Sequence, residues 1–300
     1  MNGQGAWLCA WLLLVAPAAA QAQGHVRTRV PDREVCLFWP ERRVALKAQS
    51  AGSARTPGET EFAALEAAVE TWARLSRRCS DFSLGVTGRS ASTSVGYVQD
   101  GENENLVLYR ESRCEEAVAP GDACFEDGTC GNAFNCWQHG DGILALTTTT
   151  YNVRTGQLVD GDVEMNAGPY LFTAVSSPVC AEGQDATTCV STDVQNSLTH
   201  ELGHLLGFDH VLDADSTMAP TAPPGELSKR LIDPGTATGF CVAYPAGQPS
   251  PPCSGPSVAR ITAQSRGTAG CSATGGAGAG WMLAWLWVGG LCAGGRMGQR

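Results

Sequence analysis

The sequence predicts an α/β domain of the α+β kind, on three observations. Apolar residues recur at spacings of three and four over 62–75, two β-rich runs flank a short turn at 143–166, and a second helical stripe over 194–206 ends at Gly207. A chain of 300 residues holds one generous domain or two small ones. With 43% hydrophobic and 17% charged residues it is not disordered overall, while 36 glycines and 16 prolines point to loop-rich stretches.

Taken in order, the chain opens on an uncharged apolar run at 6–20, too short to span a bilayer comfortably. Small residues at Ala20-Gln21-Ala22 suit cleavage before Gln23, so 1–22 reads as a secretory signal peptide, with a buried N-terminal helix as the alternative. The domain proper is expected over 24–247. Val35–Trp39 is a short β-like run. Thr56-Pro57-Gly58-Glu59 reads as a helix start, with Thr56 as N-cap, Pro57 at the first helical position and Glu59 completing a capping box. The helix then extends over Thr56–Arg78, and its stripe of Phe62, Leu65, Val69, Trp72 and Leu75 is core.

Phe82–Val86, Ser94–Val98 and Leu106–Tyr109 are candidate strands, and Ile143–Tyr151 with Leu158–Asn166 reads as a hairpin. In the second hairpin strand Asp160, Asp162 and Glu164 alternate with Gly161, Val163 and Met165, so one face is acidic. That face is read as solvated, with a Ca²⁺ site as the alternative. Residues 248–270, rich in Pro, Ser and Gly, form a linker. In the tail at 271–300, residues 277–294 make an uncharged stretch about as long as a minimal transmembrane helix, with Arg296 and Arg300 beyond it.

Charge and cysteines bound the function. Residues 24–247 hold 16 basic against 30 acidic side chains, which repels a phosphate backbone and argues against a nucleic-acid partner. Of 13 cysteines, Cys9 lies in the signal and Cys271 and Cys292 in the tail, leaving an even ten. In an exported chain these read as a disulfide framework in an oxidising compartment. Cys180 to Cys189 is the most credible local bridge, and Cys114, Cys124, Cys130 and Cys136 are expected to staple one long surface excursion.

The chemistry concentrates in Thr199-His200-Glu201-Leu202-Gly203-His204-Leu205-Leu206-Gly207-Phe208-Asp209-His210. Positions four apart share a helix face, so His200 and His204 can offer imidazoles to one ion with Glu201 beside them. Val194, Leu198, Leu202, Leu205 and Leu206 anchor that helix to the core. Gly207 supplies the left-handed turn that ends the helix and returns His210 to the same point. Three neutral imidazoles leave one tetrahedral position open, the arrangement of a catalytic Zn²⁺. His25 and His139, outside the motif, are expected on the surface.

This pattern, HExxHxxGxxH, resembles the zinc signature of metzincin metalloproteases. Asp215-Ser216-Thr217-Met218-Ala219-Pro220 resembles the Met-turn that follows it, with Met218 as an apolar floor. The similarity extends over roughly residues 33–245. Val211 departs from the pattern, since astacins carry Glu, adamalysins Asp and matrixins often a small hydroxyl residue there, while Gly142-Ile143-Leu144-Ala145 resembles the upper edge strand on which matrixins lay their substrate, so the likeness is matrixin-like. It implies a twisted mixed sheet, an active-site helix and a small C-terminal subdomain closed by a helix over Leu231–Tyr244. It also implies a zinc endopeptidase acting on protein or peptide substrates, with Zn²⁺ on His200, His204 and His210, Glu201 as general base, and Leu144 and Ala145 pairing with an extended substrate. The rival reading is a non-catalytic, zinc-containing surface protein for adhesion or binding. The tail, with Cys271, a Gly-rich spacer, a hydrophobic stretch and terminal arginines, resembles C-terminal sorting tails of myxobacterial surface proteins. That implies a sorting peptidase as partner, or a plain membrane anchor, and a place at the cell surface, in the outer membrane or outside the cell.

Overall fold

The computed structural model describes residues 24–253 except 185. The expected signal peptide, most of the linker, and the tail with its transmembrane or sorting segment lie outside the described residues. Among the described residues no helix is long and apolar enough to cross a membrane.

The elements in chain order are β1 (Val26–Arg27), β2 (Arg43–Gln49), α1 (Thr60–Cys79), β3 (Ser83–Ser90), β4 (Asn105–Arg110), α2 (Cys114–Ala117), α3 (Ala123–Asp127), α4 (Cys130–Phe134), β5 (Ala145–Tyr151), β6 (Leu158–Asn166), β7 (Phe172–Thr173), β8 (Thr192–Asp193), α5 (Val194–Leu205), β9 (Phe208–Asp209) and α6 (Pro234–Ala243). The class is mixed α and β, as expected. The main sheet has five strands in the order β3-β2-β4-β6-β5. Four run parallel, and β5 is an antiparallel edge strand joined to β6 as the expected hairpin.

One face of this sheet packs on α1 and α5. Leu65, Val69 and Trp72 of α1 are buried there, and Trp72 stacks on Phe208 with centroids 6.2 Å apart. A tryptophan so fully buried removes roughly 200 Å² from water, contributing about 5 kcal/mol before entropy is counted. Strand β2 was not anticipated, although Val44, Leu46 and Ala48 alternate inward in the period-two pattern of a strand.

Three local expectations are corrected. Helix α1 begins at Thr60, because Gly58 and Glu59 both adopt left-handed backbone and break the run after Pro57. Thr56 donates to the Phe172 carbonyl at 3.1 Å, and Glu59 pairs with Arg89, so no capping box closes. Ser94–Val98 is a loop: the N–H groups of Val95 and Gly96 go to the side chains of Asn132 and Asp162 in place of a neighbouring strand. Val35–Trp39 makes only isolated bridges at Cys36 and Phe38.

The acidic face of β6 is buried, not solvated. Asp160, Asp162 and Glu164 are all at most 2% exposed, covered by the 91–104 loop and by the excursion carrying α2, α3 and α4. Asp162 accepts the N–H groups of Gly96 and Leu106, and Glu164 pairs with the fully buried Arg110 at 2.6 Å. Arg110 also donates to Thr93, Asn132 and Asn135, so the guanidinium ties the excursion to the sheet. Removing one partner of such a pair costs about 3–5 kcal/mol, because the other charge is left buried alone.

All ten cysteines expected to pair do so. Cys114–Cys136 and Cys124–Cys130 staple the excursion, Cys180–Cys189 closes the loop before α5, and Cys36–Cys253 and Cys79–Cys241 tie the ends of the domain together. The expected closing helix at 231–244 is α6, begun by Asp233, whose carboxylate accepts the N–H groups of Gly235 and Thr236.

Candidate metal centre

Helix α5 is set from both ends. At its start Asp193 accepts the Asn196 N–H at 2.7 Å and is itself gripped by Arg230, which donates to both carboxylate oxygens. At its end the free carbonyls of Leu205 and Leu206 take the Trp39 indole N–H at 2.7 Å and the Tyr244 hydroxyl at 2.9 Å. Between them the Trp72 indole donates to the Thr199 carbonyl at 3.0 Å. Val194, Leu198, Leu202, Leu205 and Leu206 are all buried, as the stripe predicts.

Gly207 then turns the chain with φ +85°, a conformation that favours glycine. The following β9 pairs antiparallel with β1, and Thr28 donates to the Gly207 carbonyl at 2.9 Å. The N-terminal strand thus holds the segment that delivers His210.

The three histidines converge. Their Nε2 atoms lie 3.0, 3.1 and 3.3 Å apart, with His200 and His204 on one face of α5 and His210 arriving from the turn. His200 Nδ1 lies 2.7 Å from the Thr217 carbonyl, and His204 Nδ1 lies 2.8 Å from the Phe208 carbonyl. A carbonyl only accepts, so both Nδ1 atoms carry the proton and both Nε2 lone pairs point inward. Lone pairs facing one another without a proton to share repel, and a cation between them removes the repulsion. Points so spaced lie about 1.8 Å from a common centre, close to the imidazole–metal distance of about 2.0–2.1 Å that a bound ion would require. The group could hold a metal ion, and among the described residues no other set of three His, Cys, Asp or Glu side chains does so.

Burial and neighbouring charge favour the neutral form of His200 and His210, the form that binds metal. Burial, then His204 and His210, then the buried Lys229 ammonium push His200 well below its usual range, against the Thr217 carbonyl. Burial, His204 and Lys229 push His210 down to about 2. Lys229 is held by the Thr221 carbonyl and Glu226, under the segment that follows Met218.

Met218 is buried beneath α5, where a side chain at Gly203 would overlap its sulfur. Burial alone would raise the Asp233 carboxyl, but hydrogen bonds from Thr236, Thr217 and Ser216 outweigh it and hold the group below the usual range.

Glu201 is fully buried beside His200. Thr147 of β5 lies with its hydroxyl 2.7 Å from Glu201 Oε2 and 3.0 Å from the Glu201 carbonyl. Ala145 begins the same edge strand and Leu144 precedes it. The Leu144 carbonyl accepts the Asn166 N–H, so Leu144, expected to pair with a substrate, is engaged within the ladder, and the antiparallel alternation turns the backbone groups of Ala145 and Thr147 away from β6, both residues being buried. The Leu144 side chain packs with Ala222 and Tyr170, joining the edge strand to the segment after Met218.

His139 is half-buried and approaches Glu164 at 3.4 Å, and His25 is half-buried against Gly239, so both are only partly at the surface. Asp233-Pro234 starts the closing helix as the resemblance implies, but the bond from the Thr217 N–H to Asp233, the Thr217 carbonyl and Thr147 were not anticipated. Within four consecutive threonines, nothing local singles out the Thr147 hydroxyl.

No protein-family model matches the chain, and no curated protein matches it.

Proposed function

We propose that the chain is an exported zinc-dependent endopeptidase, a matrixin-like metzincin. The reading rests on the convergence of His200, His204 and His210 Nε2 atoms within 3.3 Å, with the Glu201 carboxylate buried beside them on the same helix. Five disulfides suit an oxidising, extracytoplasmic compartment. The Met218 floor and the antiparallel edge strand agree with the resemblance to metzincins.

Bound at the triad, zinc supplies Lewis acidity toward water and toward a peptide carbonyl. The carbonyls of Thr217 and Phe208 orient two of the imidazoles. Glu201 takes the proton of the attacking water and passes it to the departing amine. An extended peptide adds to the edge of β5, where Ala145 and Thr147 turn their backbone groups away from β6 and Thr147 stands beside Glu201.

Digestion of casein or gelatin tests this reading. Cleavage within the chain, abolished by a chelator and restored by zinc, is the expected result; no cleavage by zinc-loaded protein overturns it and favours an adhesive or binding role.

A further inference from the structure

The carboxylate of Glu201 is fully buried and comes from a helix, whereas the strand that carries Thr147 comes from the edge of the sheet. Thr147 pairs with Val163 across the ladder at a position without inter-strand hydrogen bonds, so its N–H and C=O face away from β6. Its side chain stands off the sheet face that packs on α5, in contact with Glu201, and is itself buried. A valine at this position would have the same shape and no hydroxyl, so nothing in the packing demands threonine.

We infer that Thr147 is a positioning residue for Glu201: its hydroxyl holds the carboxylate from the edge strand while its backbone receives the extended peptide, so one residue sets the base and the substrate relative to each other. This inference rests on the peptidase reading. The Thr147 hydroxyl lies nearer Glu201 Oε2, at 2.7 Å, than the Glu201 carbonyl, at 3.0 Å, and a hydrogen bond to the carboxylate favours one rotamer of that side chain. Because the strand that fixes the base is also the strand on which the peptide lies, a shift of β5 moves both together. The peptide class that fits is extended and unfolded, since backbone pairing to an edge needs a β conformation.

The test compares Thr147→Val and Thr147→Ser in the full, zinc-loaded chain. Thr147→Val is expected to keep the metal content and to lower kcat by about 10- to 100-fold, as loss of a supporting hydrogen bond does at metal sites, with KM changed less than about twofold. Thr147→Ser restores the hydroxyl and is expected to recover kcat to within about threefold of the parent. A second readout needs no turnover: the infrared difference between the parent and Glu201→Gln isolates the Glu201 carboxylate stretch, which should shift in Thr147→Val and return in Thr147→Ser. If Thr147→Val does not fold, Thr147→Ala serves in its place.

Unchanged kcat with an unmoved carboxylate band overturns the inference. So does loss of kcat in Thr147→Val that Thr147→Ser fails to restore. A parent that cleaves no peptide while the band still shifts overturns the peptidase reading and leaves the hydroxyl–carboxylate contact standing.

Discussion

Asp233 accepts the Thr217 backbone N–H at 2.9 Å, and the carbonyl of that same Thr217 takes the Nδ1 proton of His200. One carboxylate therefore caps α6, fixes the turn that carries Met218 and orients a candidate ligand. Asp233→Ala should weaken zinc affinity by about 10- to 100-fold, as loss of outer hydrogen bonds does at metal sites. It should also lower stability by about 2 kcal/mol, since a helix cap and a buried hydrogen bond are each worth about 1 kcal/mol. Competition against a chromophoric chelator, with urea unfolding of the same sample, measures both. Undiminished affinity would show that the Thr217 carbonyl is held without Asp233.

Gly207→Ala places a methyl group 2.7 Å from the Leu37 carbonyl oxygen in a residue whose φ is +85°. Strain of that kind costs about 1–3 kcal/mol. Because His210 follows three residues later, the same change should reduce metal affinity while leaving α5 intact. The expected pattern is a lower urea midpoint and weaker zinc binding with unchanged far-ultraviolet circular dichroism. Parental values for both midpoint and affinity would contradict the role given to this turn.

Asp160 and Asp162 share a buried face of β6. Burial first, and then the charge of Asp160, raise the Asp162 carboxyl despite the N–H groups it accepts; burial raises Asp160. A carboxyl whose folded pKa is raised contributes stability that is fully present below the unfolded value of about 4 and is lost as pH climbs through the folded value. The contribution of this pair should therefore fall between about pH 4 and about pH 8, while the depressed His200 and His210 of the metal-free protein act in the opposite sense up to about pH 6.5, so the difference between parent and Asp160→Asn isolates the pair and should shrink as pH rises. Urea midpoints across the range provide the check, and an unchanged slope in the variant would place the pH dependence elsewhere.

Much of this was legible in the sequence, for physical reasons that differ by element. His200, His204, Gly207 and His210 are fixed by helix periodicity and by one left-handed turn, both local, so spacing alone brings the three imidazoles together. The hairpin of β5 and β6 was legible because the residues between the two runs form a short turn. The buried acidic face was not. Alternation along β6 separates its two faces but does not tell what covers them, and the covering chain lies at 91–104 and 111–142, distant in sequence. Helix α1 began later than expected because Gly58 and Glu59 turn left-handed, where Glu59 pairs with Arg89 thirty residues away. Thr147 was hidden for the same reason as Arg110: a hydrogen bond to a residue 54 positions distant leaves no trace in local pattern.

A single paired measurement bears directly on the proposed role of Glu201 as a base beside a three-histidine zinc site. Zinc content and casein cleavage are determined on the same preparations of parent and Glu201→Ala. One zinc per chain in both, with cleavage lowered about 10²-fold or more in the variant, is the predicted result, because the imidazoles remain while the proton acceptor is gone. A zinc-loaded Glu201→Ala protein that cleaves within about tenfold of the parent would contradict the mechanism, since loss of a general base costs more than that.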